Sequence, residues 1–199
     1  MIFFFYLCFD NNLVILHIKI QVLVKIHDKT FDIFLTAQEI QNKVKLIAAE
    51  INSKYVGTDL IFIAVLNGSF MFASDLMKGI SIPCAISFVK VSSYKGSNST
   101  GRVDELIGLN TDIEGKHVII LEDIVDTGIT MNKIYSYLTA FSPASLKIGS
   151  LLFKPDAFSG KHAPDFVGFS IPNDFVVGYG LDYNEHGRNL EAIYKLIEE

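Results

Sequence analysis

The segment Leu60–Leu66, LIFIAVL, is apolar at every position. It lacks the in-out alternation of a half-exposed strand, so it predicts a strand covered on both faces, as in a parallel sheet packed between helices. His117–Leu121 (HVIIL) and Leu146–Phe153 repeat the signal, and Ala85–Val91, Asp165–Phe169 and Phe175–Tyr179 are further predicted strands. Helical periods lie between them. Thr36 followed by Glu39 is a capping box, after which Ile40, Val44, Ile47, Ala48, Ile51 and Tyr55 recur at helical spacing until Gly57. Phe70–Met77 and Thr130–Phe141 predict two more helices. Strands alternating with helices imply βαβ units and a doubly wound α/β sheet.

At 199 residues the chain has the length of one domain, and half of its residues are hydrophobic, enough for a sizeable core. The net charge of −5 disfavours a nucleic-acid binder with a general basic surface, while leaving room for a small phosphorylated ligand held by local groups. Two cysteines, Cys8 and Cys84, do not make a disulfide framework, so a reducing cytoplasm is expected. The first apolar run, Met1–Phe9, falls short of the ~20 residues that span a bilayer, and it lacks the basic start and small-residue cleavage site of a signal peptide. No membrane association is expected, and residues 1–21 read as an N-terminal extension outside a domain covering residues 22–199. Ser92–Glu105 is polar and rich in Ser and Gly, suited to a lid or an idle loop. The pattern from Asp182 to Glu199 assigns no element.

Val118–Thr130, VIILEDIVDTGIT, carries the chemistry. A predicted buried strand ends in Glu122 and Asp123, and a loop through Asp126, Thr127 and Gly128 opens onto Ile129, Thr130 and a helix. Ligands of open α/β sheets bind beyond the carboxyl ends of strands. A glycine-bearing loop at a helix N-terminus can also aim backbone N–H groups and hydroxyls at a phosphate. Neither a G-x-x-x-x-G-K-[ST] nor a G-x-G-x-x-G motif occurs.

This run resembles the phosphoribosyl pyrophosphate signature of the type I phosphoribosyltransferases, and three further segments resemble the hypoxanthine phosphoribosyltransferases among them. The resemblance implies a mostly parallel sheet flanked by helices, with a small hood over the C-terminal strand ends. It implies that Glu122 and Asp123 face the ribose, that Asp126, Thr127, Gly128, Ile129 and Thr130 wrap the 5′-phosphate, and that Asp126 is the catalytic acid or base at purine N7. Leu66–Phe72 (LNGSFMF) resembles the pyrophosphate loop, with a cis peptide at Leu66–Asn67 and main-chain groups of Asn67 and Gly68 toward the leaving group. Ser93–Tyr94 resembles the head of the flexible lid.

Leu152-Phe153-Lys154 and Asp165–Asp182 (DFVGFSIPNDFVVGYGLD) resemble the purine-binding hood. There Lys154 would donate to O6, Phe175 would stack on the base, and Val176 and Asp182 would complete the purine site. Glu122, Asp123 and Asp182 are the implied metal carboxylates, for Mg²⁺, and Arg188 the implied pyrophosphate clamp. Gly187 departs from the bulkier residue that many relatives place before that arginine. The implied partners are phosphoribosyl pyrophosphate and a 6-oxopurine, in a cytoplasmic homo-oligomer, dimer or tetramer, that acts on no nucleic acid. A xanthine or guanine specialist stays open as an alternative. A regulator of the same fold would normally carry an added basic or DNA-reading module, for which this chain is too short.

Overall fold

The computed structural model describes residues 2–9, 12–19, 23–92 and 105–197. In chain order the elements are β1 (Ile2–Phe9), β2 (Asn12–Lys19), β3 (Leu23–Ile26), β4 (Lys29–Leu35), α1 (Ala37–Lys54), β5 (Leu60–Leu66) and α2 (Phe70–Gly79). There follow β6 (Cys84–Ser92), β7 (Glu105–Ile107), β8 (His117–Val125), α3 (Ile129–Thr139), β9 (Ser145–Phe153), β10 (Phe166–Ser170), β11 (Val176–Val177) and β12 (Ile193–Leu196).

The central sheet has the order β10-β9-β8-β5-β6-β7 and is parallel except for β7, which runs against β6. Its middle strand is the apolar run that the sequence singles out. Leu60, Phe62 and Ala64 pack on one face with Ile40, Val44 and Ile51 of α1 and Phe72 and Leu76 of α2. Ile61, Ile63 and Val65 pack on the other with Met131, Ile134 and Leu138 of α3. Each large side chain buried this way contributes about 1.5–3 kcal/mol, which explains why this strand carries no polar face. At the head of α1, Thr36 Oγ1 accepts from Glu39 N–H while Glu39 Oε2 accepts from Thr36 N–H, the expected capping box.

One boundary differs from expectation in a way that shapes the site. The acidic doublet does not follow β8 but lies inside it, because pairing with β9 runs on to Val125↔Phe153. On its other side β8 loses β5 after Ala64↔Leu121. Glu122 and Asp123 therefore sit where the sheet is bonded on one side and parted on the other.

The second sheet, ordered β11-β12-β4-β3, is antiparallel and is assembled from the two ends of the described domain. It forms the hood, and its core is Ile26, Phe31, Val177, Ala192 and Tyr194. Two features differ from the sequence reading. The hood does not coincide with Asp165–Asp182: Phe166–Ser170 is β10, paired parallel to β9 at the edge of the central sheet, and the hood instead recruits β3, β4 and the unassigned C-terminal stretch as β12. Conversely, the strand predicted over Phe175–Tyr179 shrinks to Val176–Val177, because Gly178, Tyr179 and Gly180 take φ of 99°, 49° and 101° and leave the extended region. β1 and β2 pair antiparallel with each other in a sheet separate from these two. Among the described residues no helix is long and apolar enough to cross a membrane.

Candidate active site

Parallel strands deliver their carboxyl ends to one edge, and the β8–β9 register decides which residues meet there. Val125 lies opposite Phe153, so the next residues, Asp126 and Lys154, are neighbours. Lys154 Nζ stands 3.0 Å from Asp126 Oδ2. The lysine is 8% exposed, whereas the aspartate side chain is 47% exposed. A buried ammonium is thus held by a carboxylate that still reaches solvent.

Glu122 and Asp123 lie beside them in a less satisfied setting. Glu122 Oε2 is buried without a hydrogen-bond partner, and burial, with the charge of Asp123 next to it, pushes its carboxyl well above the usual range. Asp123 is pushed up to about 6 by burial, against the opposing hydrogen bond from Ile124 N–H and the charge of Arg188. The edge thus holds two carboxylates that lack enough positive partners.

The peptide Leu66–Asn67 is cis, as expected, and the turn that follows closes tightly on Asp123. A Cβ at Gly68 would overlap the Asp123 carboxylate, and a Cβ at Gly180 would overlap Gly68 O. Gly68 is therefore a backbone contact through which the hood meets the sheet, beside the packing of Val176, Tyr179, Leu181 and Ile193 on the sheet's core. From Gly180 the chain reaches Asp182 and Arg188, which pair: Arg188 Nη2 is 2.8 Å from Asp182 Oδ1, and Nη1 donates to Gly180 O at 2.9 Å. The second Asp182 oxygen accepts from Glu185 N–H at 2.8 Å. Gly187 has a φ of 96°, and a Cβ there would press on Ile26 at 2.9 Å. Glycine at this position fits both its backbone conformation and the close hood packing, and Arg188 is seated.

Asp126 to Thr130 form a small pocket of about 100 Å³ together with Glu122 and Ile124. Gly128 has a φ of 79° and lies against Phe158, whose ring a Cβ would meet at 2.5 Å. Ser159 N–H donates to Thr127 O at 3.1 Å and backs the loop from behind. Thr127, Ile129 and Thr130 are exposed, and α3 begins here. A loop joined to a helix N-terminus is an anion site, since its first N–H groups have no partner within the helix.

Phe175 and Val176 stand apart from this pocket. Phe175 is 44% exposed, meets Tyr183 edge-on at 5.9 Å and lies 6.2 Å from Phe31. It lines a hood cavity of about 580 Å³ that shares no lining residue with the loop pocket. Val176 is buried and pairs with Lys195. Ser93 and Tyr94 lie outside the described residues. Several supporting residues escaped the sequence reading: Phe31 and Tyr183 beneath Phe175, Phe158 beneath Gly128, and Tyr179, whose hydroxyl donates to Asp75 Oδ2 at 2.7 Å. The Gly178-Tyr179-Gly180 run was the signal for the last, because paired glycines mark backbone that a side chain would forbid.

Comparison with known proteins agrees with this geometry. Residues 31–184 match the family model described as phosphoribosyl transferase domain. The chain is 43% identical over 168 residues to the hypoxanthine-guanine phosphoribosyltransferase of Mycobacterium bovis, covering 81% of this chain and 83% of that protein. It is 39% identical to that of Aquifex aeolicus, covering 85% and 97%. Among solved structures, a hypoxanthine phosphoribosyltransferase from Staphylococcus aureus superposes with a TM-score of 0.77 at 43% identity, over 83% of this chain and 90% of that one. A hypoxanthine-guanine phosphoribosyltransferase from Bacillus anthracis gives 0.76 at 36%, over 83% and 97%. The doubly wound sheet, its hood and the motif at the carboxyl end of β8 thus have counterparts across most of the chain, which belongs to the hypoxanthine-guanine phosphoribosyltransferase family.

Proposed function

We propose that this chain transfers the 5-phosphoribosyl group of phosphoribosyl pyrophosphate to hypoxanthine and guanine, giving IMP or GMP and pyrophosphate in purine salvage. The observation that carries the reading is the Asp126–Lys154 pair at 3.0 Å, set by strand register beside two under-neutralised carboxylates. One group that accepts a proton and one that only donates, side by side, match a 6-oxopurine edge, where N7 gives up a proton as O6 accepts hydrogen bonds.

In this mechanism the loop Asp126–Thr130 anchors the 5′-phosphate, and Glu122 and Asp123 hold the ribose hydroxyls. As the bond from C1′ to pyrophosphate lengthens, positive charge grows on the ribose. The carboxylates beside it stabilise that charge, a preorganised electrostatic effect. Arg188 and the main chain at Asn67 and Gly68 receive the departing pyrophosphate. Asp126 takes the N7 proton, Lys154 keeps one donor on O6, Phe175 stacks on the base, and Val176 and Asp182 complete its edge.

The acidic residues fit a magnesium ion. Glu122 has a buried oxygen without a partner, Asp123 is raised to about 6 by burial that the charge of Arg188 does not offset, and Asp182 is near enough to add to that effect. Among the described residues no three His, Cys, Asp or Glu could hold a metal by themselves, and magnesium commonly takes one or two carboxylates plus phosphate oxygens. When bound, Mg²⁺ neutralises the diphosphate and lowers the cost of its departure.

This reading includes a domain of residues 22–199 to which residues 1–21 are a dispensable extension, and a cytoplasmic homo-oligomer. The test is nucleotide formation from hypoxanthine, guanine, xanthine and adenine by the wild type and by Lys154→Gln. Hypoxanthine and guanine should be used and adenine rejected, and the substitution should lower 6-oxopurine turnover while shrinking the preference over adenine. Undiminished discrimination in the variant would remove Lys154 from the reading of O6.

A further inference from the structure

Away from the sheet edge, two imidazoles meet in the hood. His27 sits in the turn between β3 and β4, and His186 lies in the loop that runs from Asp182 to Arg188. His27 Nε2 is 3.0 Å from His186 Nδ1. The carbonyl oxygen of Asn184 is 2.9 Å from His186 Nδ1 and 3.4 Å from His27 Nε2. Both histidines are exposed, and both line a cavity of about 350 Å³ shared with Val24, Lys25, Gly187 and Asn189.

We propose that His27 Nε2, His186 Nδ1 and the Asn184 carbonyl form a binding site for a divalent transition ion of the zinc class, separate from the carboxylates assigned to magnesium. Zinc–nitrogen bonds of about 2.0–2.1 Å place neighbouring ligands about 2.9–3.4 Å apart, between octahedral and tetrahedral angles. All three edges of this triangle fall in that range. Each edge is within hydrogen-bond reach, but in any one tautomer hydrogen bonds account for at most two of the three and leave the third edge without a donor facing an acceptor, whereas one ion would take all three lone pairs.

The chemistry points the same way, since neutral imidazoles suit Zn²⁺, Ni²⁺ and Cu²⁺, while hard Mg²⁺ prefers oxygen. The site is also held in shape before any ion arrives. Tyr183 Oη donates to Asp28 Oδ1 at 2.9 Å, tying the turn to the loop. His27, Asn184 and Glu185 all have φ between 50° and 66°, so the turn and the loop each hold a left-handed backbone that is uncommon outside glycine. Binding needs no redox step. Whichever of the two facing nitrogens carries a proton, that proton moves through water to the other nitrogen of the same imidazole, freeing both lone pairs, and water completes the coordination shell. The ion would join the β3–β4 turn to the loop whose ends are Asp182 and Arg188.

The test is calorimetric titration of the full chain with zinc chloride in excess Mg²⁺, with the double variant as the reference for any zinc that the carboxylates take up. Wild type should bind one ion per chain. His27→Ala and His186→Ala should each weaken binding at least about tenfold, since loss of even an outer-shell partner costs that much, and the double variant should lose this site. Zinc should raise the Tm of the wild type and leave that of the double variant unmoved. His27→Gln and His186→Gln, which keep bulk and polarity, supply the same comparison if circular dichroism shows an alanine variant to be misfolded. Equal zinc affinity in wild type and double variant, or no zinc binding by the wild type at submillimolar zinc, would overturn the proposal.

Discussion

The sheet edge and the hood both carry charged groups, but they satisfy them in opposite ways. At the edge, Glu122 has a buried oxygen without a partner and Asp123 is raised to about 6. In the hood, Asp182 is shared between Arg188 and Glu185 N–H, Tyr179 between its backbone and Asp75, and Tyr183 reaches Asp28. Buried polar groups are normally paired, so a shortage of partners marks where a ligand is received, and completed pairing marks where a loop is held. The edge meets its ligand with unmet charge, whereas the hood keeps its loop in place by pairing the same Asp182 and Arg188 that it would offer to the ligand.

The strongest attack on this contrast is Asp126→Asn, at the point where the edge carries a proton acceptor. Asparagine keeps the size of the side chain but cannot take the N7 proton, and general acid–base groups are worth about 10² to 10⁴-fold. Steady-state kinetics should show kcat falling by that factor, with much less change in phosphoribosyl pyrophosphate binding. Unchanged kcat would reduce Asp126 to the counter-ion of Lys154.

Next comes Gly68→Ala, which tests the seam between the two regions. A methyl group there would overlap the Asp123 carboxylate, and displacement of a positioning group by about 1 Å can cost about 10²-fold. A variant that folds, by circular dichroism, and yet loses kcat/KM on that scale is the expected result. Wild-type kinetics would mean that Asp123 can move aside freely.

The third prediction uses the under-neutralised edge directly. A carboxyl raised from 3.8 to about 6 by burial penalises the unliganded fold once it ionises. A raised acid contributes stability below its unfolded value and loses it as pH rises through about 6. A shift of this size is worth on the order of 3 kcal/mol. Asp123→Asn should therefore raise the Tm of the unliganded protein by several degrees at pH 7.5, with the gain shrinking toward pH 4, while activity falls. A Tm gain independent of pH would show that burial of charge is not the cause.

The two regions also differ in how much of them could be read in the sequence. The edge is built from three short local motifs, so VIILEDIVDTGIT, Asn67-Gly68 and Lys154 were legible one by one, and the β8–β9 register brings Asp126 and Lys154 together. What pattern alone missed there was that β8 continues through the doublet, because a strand bonded on only one side need not look apolar. The hood is built from the chain's ends, and its contacts are non-local. His27 and His186 are 159 residues apart, and Tyr183 and Asp28 are 155 apart. The strand at Val176–Val177 reads too long in the sequence, because the apolar run does not reveal the positive φ at Gly178, Tyr179 and Gly180 that ends it, and Leu23–Leu35 acquires its meaning only when β12 pairs beside it.

The smallest expected effect, and the sharpest test of the hood as a holding device, is Tyr179→Phe. Tyr179 is 1% exposed, and its hydroxyl is held high by burial and by the hydrogen bond to Asp75. Asp75 in turn lies below the usual carboxylate range, since hydrogen bonds from Lys78, Tyr179 and Gln41 outweigh the burial that would raise it. Removing the hydroxyl leaves Asp75 with Gln41 and Lys78, so the loss should stay near that of one hydrogen bond to a charged group, about 1.5–3 kcal/mol. At about 2–4 °C per kcal/mol for a chain of this size, Tm should fall by about 3–12 °C. The ring still fills its place, and Gly180, with the Arg188 bonds that hang on it, stays seated, so kcat should change by less than the other variants change it. A Tm loss without a large kinetic loss is what a group that only holds the loop must show. A kcat collapse in a variant of normal Tm would place Tyr179 with the groups that do the chemistry and dissolve the division between edge and hood.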